Sequence, residues 1–405
     1  MTRLLWVTAI APCFDARGGG EIRQAHLLDA LADRFEVELL VAGALEDERI
    51  RRRLVAVTEV PVGPATDPDS RLLRRLRDVR WEVVQRQSDE VARQRRIREA
   101  LRPHIERRDD IDVVCVEYIG LAPLLPPWRR AVWALTLHNL PSVMASHNAR
   151  IAPGRRHRLM SAIEQRNSRR IELRAARDYD MVVAVSPDDA RLLGNGAVVV
   201  PNGVDTERFQ PDPLPRSGRL VFTGGLHTVA NRDGIKWFCD HVWPRVRASA
   251  PHATLDVVGS RPPADVLALG ALDGVRVHPD VEDVVPFLRS ASVAVVPLRI
   301  GSGSRLKALE AMAAGRPVVG TAIGLGGLEL ISGRDALIAD GAAQFAEAIV
   351  RCLEDRALAT RLAAAGRMLV ERRYSWRRIG ADYAALLEAR VATSSSSTSE
   401  TIATN

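Results

Sequence analysis

The stretch from Val293 to Leu330, VAVVPLRIGSGSRLKALEAMAAGRPVVGTAIGLGGLEL, constrains this chain more than any other. A β-branched apolar run, Val293 to Val296, reaches Pro297 and then a Gly/Ser loop, Gly301-Ser302-Gly303-Ser304. A helical pattern follows, which Gly315 stops, and after Arg316 and Pro317 the run Val318 to Thr321 reads as a second buried strand. The unit is strand, glycine loop, helix, strand, and such βαβ units belong to parallel sheets of α/β class. A small-residue loop opening a helix leaves backbone N–H groups free to approach an anion, and the helix dipole adds about half a positive charge there. Phosphate is the natural ligand. Arg305 and Lys307, just inside the helix start, can add charge-assisted hydrogen bonds to a diphosphate. Glu310, a turn further on, can accept from ribose hydroxyls. The same residues also describe an ordinary turn with a solvated helix face, and their spacing matches neither the Walker lysine nor GxGxxG.

The chain has 405 residues, enough for two α/β domains with ample core. Its 46% hydrophobic and 26% charged content is that of a soluble protein. The net charge of +7 comes almost wholly from arginine, since Lys236 and Lys307 are the only lysines. An Arg- and Ala-rich chain points to a bacterial source of high genomic G+C. Excess positive charge suits nucleic acid, anionic lipid or an anionic small substrate. Neither aromatic interleaving nor zinc spacing supports nucleic acid. Cys13, Cys115, Cys239 and Cys352 are scattered singly, so neither a disulfide framework nor a metal cluster is indicated, and a reducing cytoplasm fits. No apolar stretch reaches the ~18 residues that span a bilayer, so any membrane contact is peripheral. Arg3 followed by LLWVTAIAPCF has the look of a short signal peptide, but a first buried strand running into a glycine loop is the preferred reading.

The segment from Lys307 to Thr321, KALEAMAAGRPVVGT, resembles the donor-site signature of glycosyltransferase family 4. The resemblance implies the GT-B fold: two Rossmann-like domains facing a central cleft, with a C-terminal helix crossing back to the N-terminal domain. It also implies sugar transfer from a nucleoside diphosphate donor with retention of anomeric configuration. The family pattern has two glutamates with seven residues between them. Here the second falls on Glu310 and the first on Ser302, so the contact of a first glutamate with the donor sugar is missing. The role of Glu310 at the ribose is untouched, and a subgroup of the family with a Gly/Ser-rich loop and a lysine before the helix is closer to this version.

Along the chain, Leu4 to Ile10 reads as the first strand, followed by Gly18-Gly19-Gly20-Glu21, a helix from about Ile22 to Asp33 and a second strand from Phe35 to Ala42. By resemblance Gly19 and Gly20 sit across the cleft near the donor phosphates and the acceptor, although glycines after a first strand also make simple tight turns. Arg71 to Arg108 is an arginine-dense helical stretch with a broken apolar stripe. It reads either as a surface for an anionic membrane or as a solvated cover of the N-terminal domain. Asp112 to Tyr118 and Ala131 to Leu137 are further strands, and His138 at the end of the latter points into the crevice where such sheets bind ligands. A lone histidine there is more often structural; the resemblance places it close to the donor sugar. The arginine-rich Asn148 to Arg177 reads as helix that caps the cleft or docks the acceptor.

Asp180 to Ser186 and Ala197 to Val200 complete the N-terminal domain, expected over 1–200. Pro201-Asn-Gly-Val-Asp205 resembles the family's crossing into the donor domain, expected over 201–375. Leu220 to Thr223 opens that half. The resemblance puts Gly225, Asn231 and Arg232 near the donor diphosphate, with no plain Arg/Lys pair at the usual spacing, and the backbone around Val281 at the nucleobase. Leu337 to Leu369 reads as helices, Ser375-Trp376 as the return crossing, 376–392 as the crossover helix, and the Ser/Thr-rich 393–405 as a disordered tail.

The chemistry implied is cleavage of an anomeric C–O bond with a nucleoside diphosphate leaving, UDP first and GDP second. Charge builds on the β-phosphate, so cations and backbone donors supply the catalysis; Arg305, Lys307 and the amides of Ser302 to Ser304 suit that task. No DxD-type metal site is evident, so no cofactor is expected and the cationic groups stand in for a metal. Front-face attack by the acceptor is the implied route to retention. Rival readings are a nucleotide-sugar epimerase or phosphorylase on the same fold, and a partner subunit that binds the donor without turnover, favoured by Ser302. A nicotinamide-dependent oxidoreductase is the weakest, because Gly18 to Gly20 is not GxGxxG. The acceptor, the sugar and the oligomeric state are not legible.

Overall fold

The structure, a computed structural model, describes residues 1–16, 18–62, 81–106, 108–124, 130–151, 154–194, 196–303 and 305–402. Two all-parallel sheets organise it. The first has seven strands: β1 (Arg3–Thr8), β2 (Glu36–Ala42), β3 (Ala56–Val60), β4 (Val113–Glu117), β5 (Val132–Leu137), β6 (Met181–Ala184) and β7 (Val198–Val199). Their spatial order is β3-β2-β1-β4-β5-β6-β7. The second has six: β8 (Arg219–Thr223), β9 (Thr254–Gly259), β10 (Val275–Pro279), β11 (Val293–Val296), β12 (Val318–Gly320) and β13 (Leu337–Ile338), in the order β10-β9-β8-β11-β12-β13. Each order reverses once, between β1 and β4 and between β8 and β11. At such a switch the crossovers leave to opposite sides and open a crevice beyond the strand ends.

The strands are continuous apolar runs because helices cover both faces of each sheet. Leu4, Trp6, Val37 and Leu39 face one core of the N-terminal domain, while Leu5, Val7, Val114 and Leu135 face the other. A single core centred on Phe222, Phe238, Val257, Val295 and Phe345 fills the C-terminal domain. β3, β10 and β13 were not read as strands from the sequence, and Val275 to Asp283, read as a loop, holds β10 at a sheet edge. β3 is mostly exposed at the sheet edge, and β13 is two residues long, inside a region read as helix.

The chain passes between the domains twice, and the two passages lie side by side. The Val204 amide donates to the Tyr374 carbonyl (2.7 Å) and the Trp376 amide to that of Val204 (3.3 Å). Gly203 is required there, since a Cβ would stand 2.7 Å from the Trp376 ring. The returning helix, Trp376–Ile402, belongs to the N-terminal core: Ile379, Tyr383 and Leu387 are buried in it, and Tyr383 meets Trp6 edge-on at 6.5 Å. This helix runs past 392 through part of the segment expected to be disordered, as far as Ile402. Adding residues to an existing helix costs far less than nucleating one, so a Ser/Thr-rich sequence can follow. In the Arg71 to Arg108 stretch, 71–80 and 107 lie outside the described residues. A helix spans Trp81–Leu101, and its end packs Ile97 and Leu101 into the N-terminal core. No described helix is long and apolar enough to cross a membrane.

Arg23, fully buried on the first helix (Gly19–Leu31), braces the first passage by donating to the Pro201 carbonyl at 2.6 Å, Val200 at 2.8 Å and Asn202 Oδ1 at 3.2 Å. Replacing it by methionine strands these acceptors. Arg23→Met should lower stability by about 2–3 kcal/mol and drop the thermal midpoint; an unchanged midpoint would show that the brace contributes nothing.

Candidate functional site

The C-terminal ends of the two sheets face each other, and the loop after β11 crosses between them. Glycine sets its path: Gly301 and Gly303 have φ of 154° and 75°, the latter in the left-handed region. At Gly303 a Cβ would lie 2.8 Å from the His138 carbonyl and 2.9 Å from Val185. The loop is gripped by the N-terminal domain. Leu140 N donates to Ser302 Oγ (2.8 Å), Gly301 N to His147 Nδ1 (3.2 Å) and Gly303 N to the buried carboxylate of Asp189 (2.8 Å). Burial pushes the Asp189 carboxyl up and the His147 imidazole down.

These contacts revise the expected roles in the loop. The Gly303 amide and Ser302, expected to meet phosphate, are engaged by the facing domain, because a closed cleft lets a nearby carboxylate and amide satisfy them first. Ser304 lies outside the described residues. Arg305 caps the Leu306–Ala313 helix, and its guanidinium holds the loop, donating to the Ile323 carbonyl at 3.2 Å and to that of Ser302. Burial lowers its pKa to about 10, offset in part by Asp189.

Lys307, in the first turn of the same helix, reaches the end of β8. It donates to Asn231 Oδ1, lies 4.3 Å over the Phe222 ring, and would be 2.6 Å from a Cβ on Gly224. Asn231 Nδ2 in turn donates to the carbonyl of Gly225 (2.9 Å), which ties the glycine turn to the lysine. Burial is the main reason that the Lys307 pKa falls to about 7, with Glu310 opposing and Arg305 assisting. Burial raises the Glu310 carboxyl against the pull of Lys307 and Arg208. Glu310 lines an interdomain cavity of ≈ 330 Å³ with Leu306, Asp205, Arg208, His26 and Trp376. His26 stacks on Trp376 at 5.1 Å, and burial lowers its pKa to about 4.

Arg232 is not in this cluster. Its guanidinium pairs with Asp265 at 2.9 Å on the surface, beside Lys236. One helical step separates it from Asn231, which faces inward. Val281 packs its side chain on the C-terminal core after a turn in which Asp280 has φ of 51°, leaving its backbone for any outward contact.

On the opposite wall, His138 follows β5. Its Nε2 is 2.5 Å from Glu117 Oε2, and its ring stacks on Tyr118 at 4.2 Å. Glu117 ends β4 fully buried, with Oε1 lacking a partner, and Tyr118 turns the chain with φ of 74°. Gln24 donates to the Tyr118 hydroxyl (3.2 Å), and Gly20 admits that hydroxyl at a distance no side chain permits. Gly19 likewise admits Leu306 from the other domain. Sequence reasoning missed Glu117, Tyr118, His147 and Asp189 as site residues, whereas Asn231 was named beside Gly225 and Arg232. An acid ending the apolar run VVCVE was the readable signal for Glu117, since charge in a doubly covered strand needs a partner. Among the described residues no group of three or more His, Cys, Asp or Glu is placed to hold a metal ion.

The seam should be sensitive to Gly303. Gly303→Val forces a β-branched residue to positive φ against the His138 carbonyl, so stability should fall by about 1–3 kcal/mol and the cleft should open. Thermal melting and small-angle scattering read both effects; an unchanged radius of gyration would show that the loop does not hold the domains together.

Comparison with known proteins fits this geometry. Residues 17–208 match the model described as Glycosyltransferase Family 4, and residues 217–355 that described as Glycosyl transferases group 1. Glycogen synthase of Mycobacterium tuberculosis is 27% identical over 274 residues, 62% of this chain and 63% of its own length. The chain thus spans under two thirds of that relative. Among solved structures, sucrose-phosphate synthase from Thermosynechococcus elongatus superposes with a TM-score of 0.72 at 20% identity, covering 97% of this chain and 100% of its own. HepE from Anabaena, in complex with UDP and glucose, gives 0.66 at 14% identity, covering 96% and 100%. Those likenesses establish the GT-B fold, and with both domains matched by its models the chain belongs to glycosyltransferase family 4.

Proposed function

We propose that the cleft binds a nucleoside diphosphate sugar and transfers the glycosyl group to an acceptor hydroxyl. The observation that carries this reading is Lys307, a half-buried cation beside the glycine turn at the end of β8, one helical turn from the Glu310 carboxylate. A diphosphate at Lys307 puts its ribose within reach of Glu310. UDP is the nucleotide favoured, in line with the UDP held by HepE. GDP is the second.

In the transfer, the bond between C1 and the β-phosphate oxygen breaks and a bond from C1 to the acceptor oxygen forms. The acceptor's proton passes to the departing phosphate, which lies on the same face, and configuration is retained. The charge that builds on the phosphate is met by Lys307, whose fixed position needs no reorganisation. His138, set by Glu117 and Tyr118, stands on the acceptor side of the cleft, where it orients the sugar. A donor-binding subunit without turnover is the second reading, because Ser302 occupies the position of the first glutamate and points to Leu140 instead of the cleft.

Calorimetric titration with UDP and GDP, with and without magnesium, tests the donor site; no binding of either by folded protein overturns it. Lys307→Ala should cost about 2.7–4 kcal/mol of transition-state stabilisation, a 10²–10³-fold loss in kcat. Near-normal turnover would remove the lysine from the phosphate. Glu310→Ala should instead weaken nucleotide affinity, seen in the same titration.

The pH dependence follows from the lowered Lys307 pKa. With that pKa near 7 in the free protein, the diphosphate binds a form that loses its proton as pH rises. Affinity should therefore fall above about pH 7, by up to about tenfold per pH unit. The dependence should vanish in Lys307→Met. A Kd flat from neutral to alkaline pH would show that the ammonium does not contact the ligand.

A further inference from the structure

The helix Arg155–Asp178 packs along the helix Pro141–Ile151 and is most deeply buried at its C-terminal end. There Ala175 and Ala176 are buried, and buried Glu172 accepts from the amide (2.8 Å) and hydroxyl (2.5 Å) of Ser142. From 155 to 170 nearly every residue is exposed. Arg155, Leu159, Ile163, Arg166 and Arg170 follow one another at helical steps of four or three, so they share one face, with Arg156 and Met160 beside them. Leu159 is 63% exposed, Met160 51% and Ile163 48%. Between 155 and 170 six arginines stand against a single acid, Glu164, which lies off that face.

We propose that this face docks on the surface of an anionic lipid bilayer. Aliphatic side chains set among arginines fit the boundary between headgroups and acyl chains, where the apolar tips sink in and the long arginine stems carry their charge back to the phosphates. Nucleic acid fits less well, since no aromatic residue on the face can stack with a base. The helix pairs with Pro141–Ile151, which begins three residues after His138 and supplies His147 to the Gly301 amide, so docking brings the rim of the cleft to the headgroups. If the cleft transfers sugar as proposed, an acceptor carried on lipid is then within reach; the docking itself does not depend on that reading.

Flotation of the full chain with phosphatidylcholine vesicles, and with equimolar phosphatidylcholine–phosphatidylglycerol vesicles, tests the surface without turnover. Binding is expected to the anionic vesicles alone. Arg156→Gln with Arg166→Gln should cut it about 25-fold, about fivefold for each charge. Leu159→Ser with Ile163→Ser should remove the part that survives added salt. All four positions are exposed, so an unchanged thermal midpoint separates lost docking from lost fold. The proposal is overturned by equal binding to both vesicles, by no binding, or by serine variants that bind as the parent does. Self-association that the serine variants abolish, without vesicle binding, would assign the face to a second copy of the chain.

Discussion

Among the described residues, three hydrogen bonds hold the loop after β11 to the N-terminal domain, and they carry the site. Each sheet buries its own core, so domain folding alone does not bring the loop after β11 against His138. The Asp189, His147 and Leu140 contacts do, in a seam where water is largely excluded and each bond is correspondingly stronger. They demand close backbone approach at Gly303, while Gly19 on the facing side makes room for the Leu306 side chain.

The seam also shapes the charges. Lys307, Arg305, Glu310 and Asp189 are all displaced from their ordinary pKa values, with desolvation the largest cause for each. Ion-pair networks in proteins usually stabilise charge; here burial weakens it on both cations and both carboxyls. A cluster tuned against its own charges is poised to receive more, and perturbed groups of this kind concentrate at functional clefts. Arriving negative charge would restore the Lys307 ammonium and relieve part of that cost. The two cations differ in what is left to offer: Arg305 spends donors on loop carbonyls, whereas Lys307 meets one neutral amide oxygen.

The basic helix and the cleft share a structural origin. The Pro141–Ile151 and Arg155–Asp178 pair is inserted between β5 and β6, just after His138, and His147 on its first helix holds the loop after β11 while much of the second helix meets solvent. Movement of that pair would therefore be felt at both places.

Much of this was legible in the chain. Apolar runs of four to seven residues gave most strands and the α/β class, and the Lys307 to Thr321 segment gave the family and the place of Glu310 on its helix. Those features depend on local period and backbone freedom, which sequence encodes directly. What a side chain meets across the molecule is different. Ser302 and Leu140 are 162 positions apart, and Lys307 and Asn231 are 76 apart. Nothing in periodicity says that Asn231 turns inward while Arg232 pairs with Asp265 on the surface. By itself the sequence determined two Rossmann-like domains and a cationic helix start. Tertiary structure alone decided that Arg305 serves the loop, that Lys307 meets Asn231 beside the end of β8, and that Glu117 stands behind His138. Those choices depend on which groups the packing of two separate cores brings within hydrogen-bond distance.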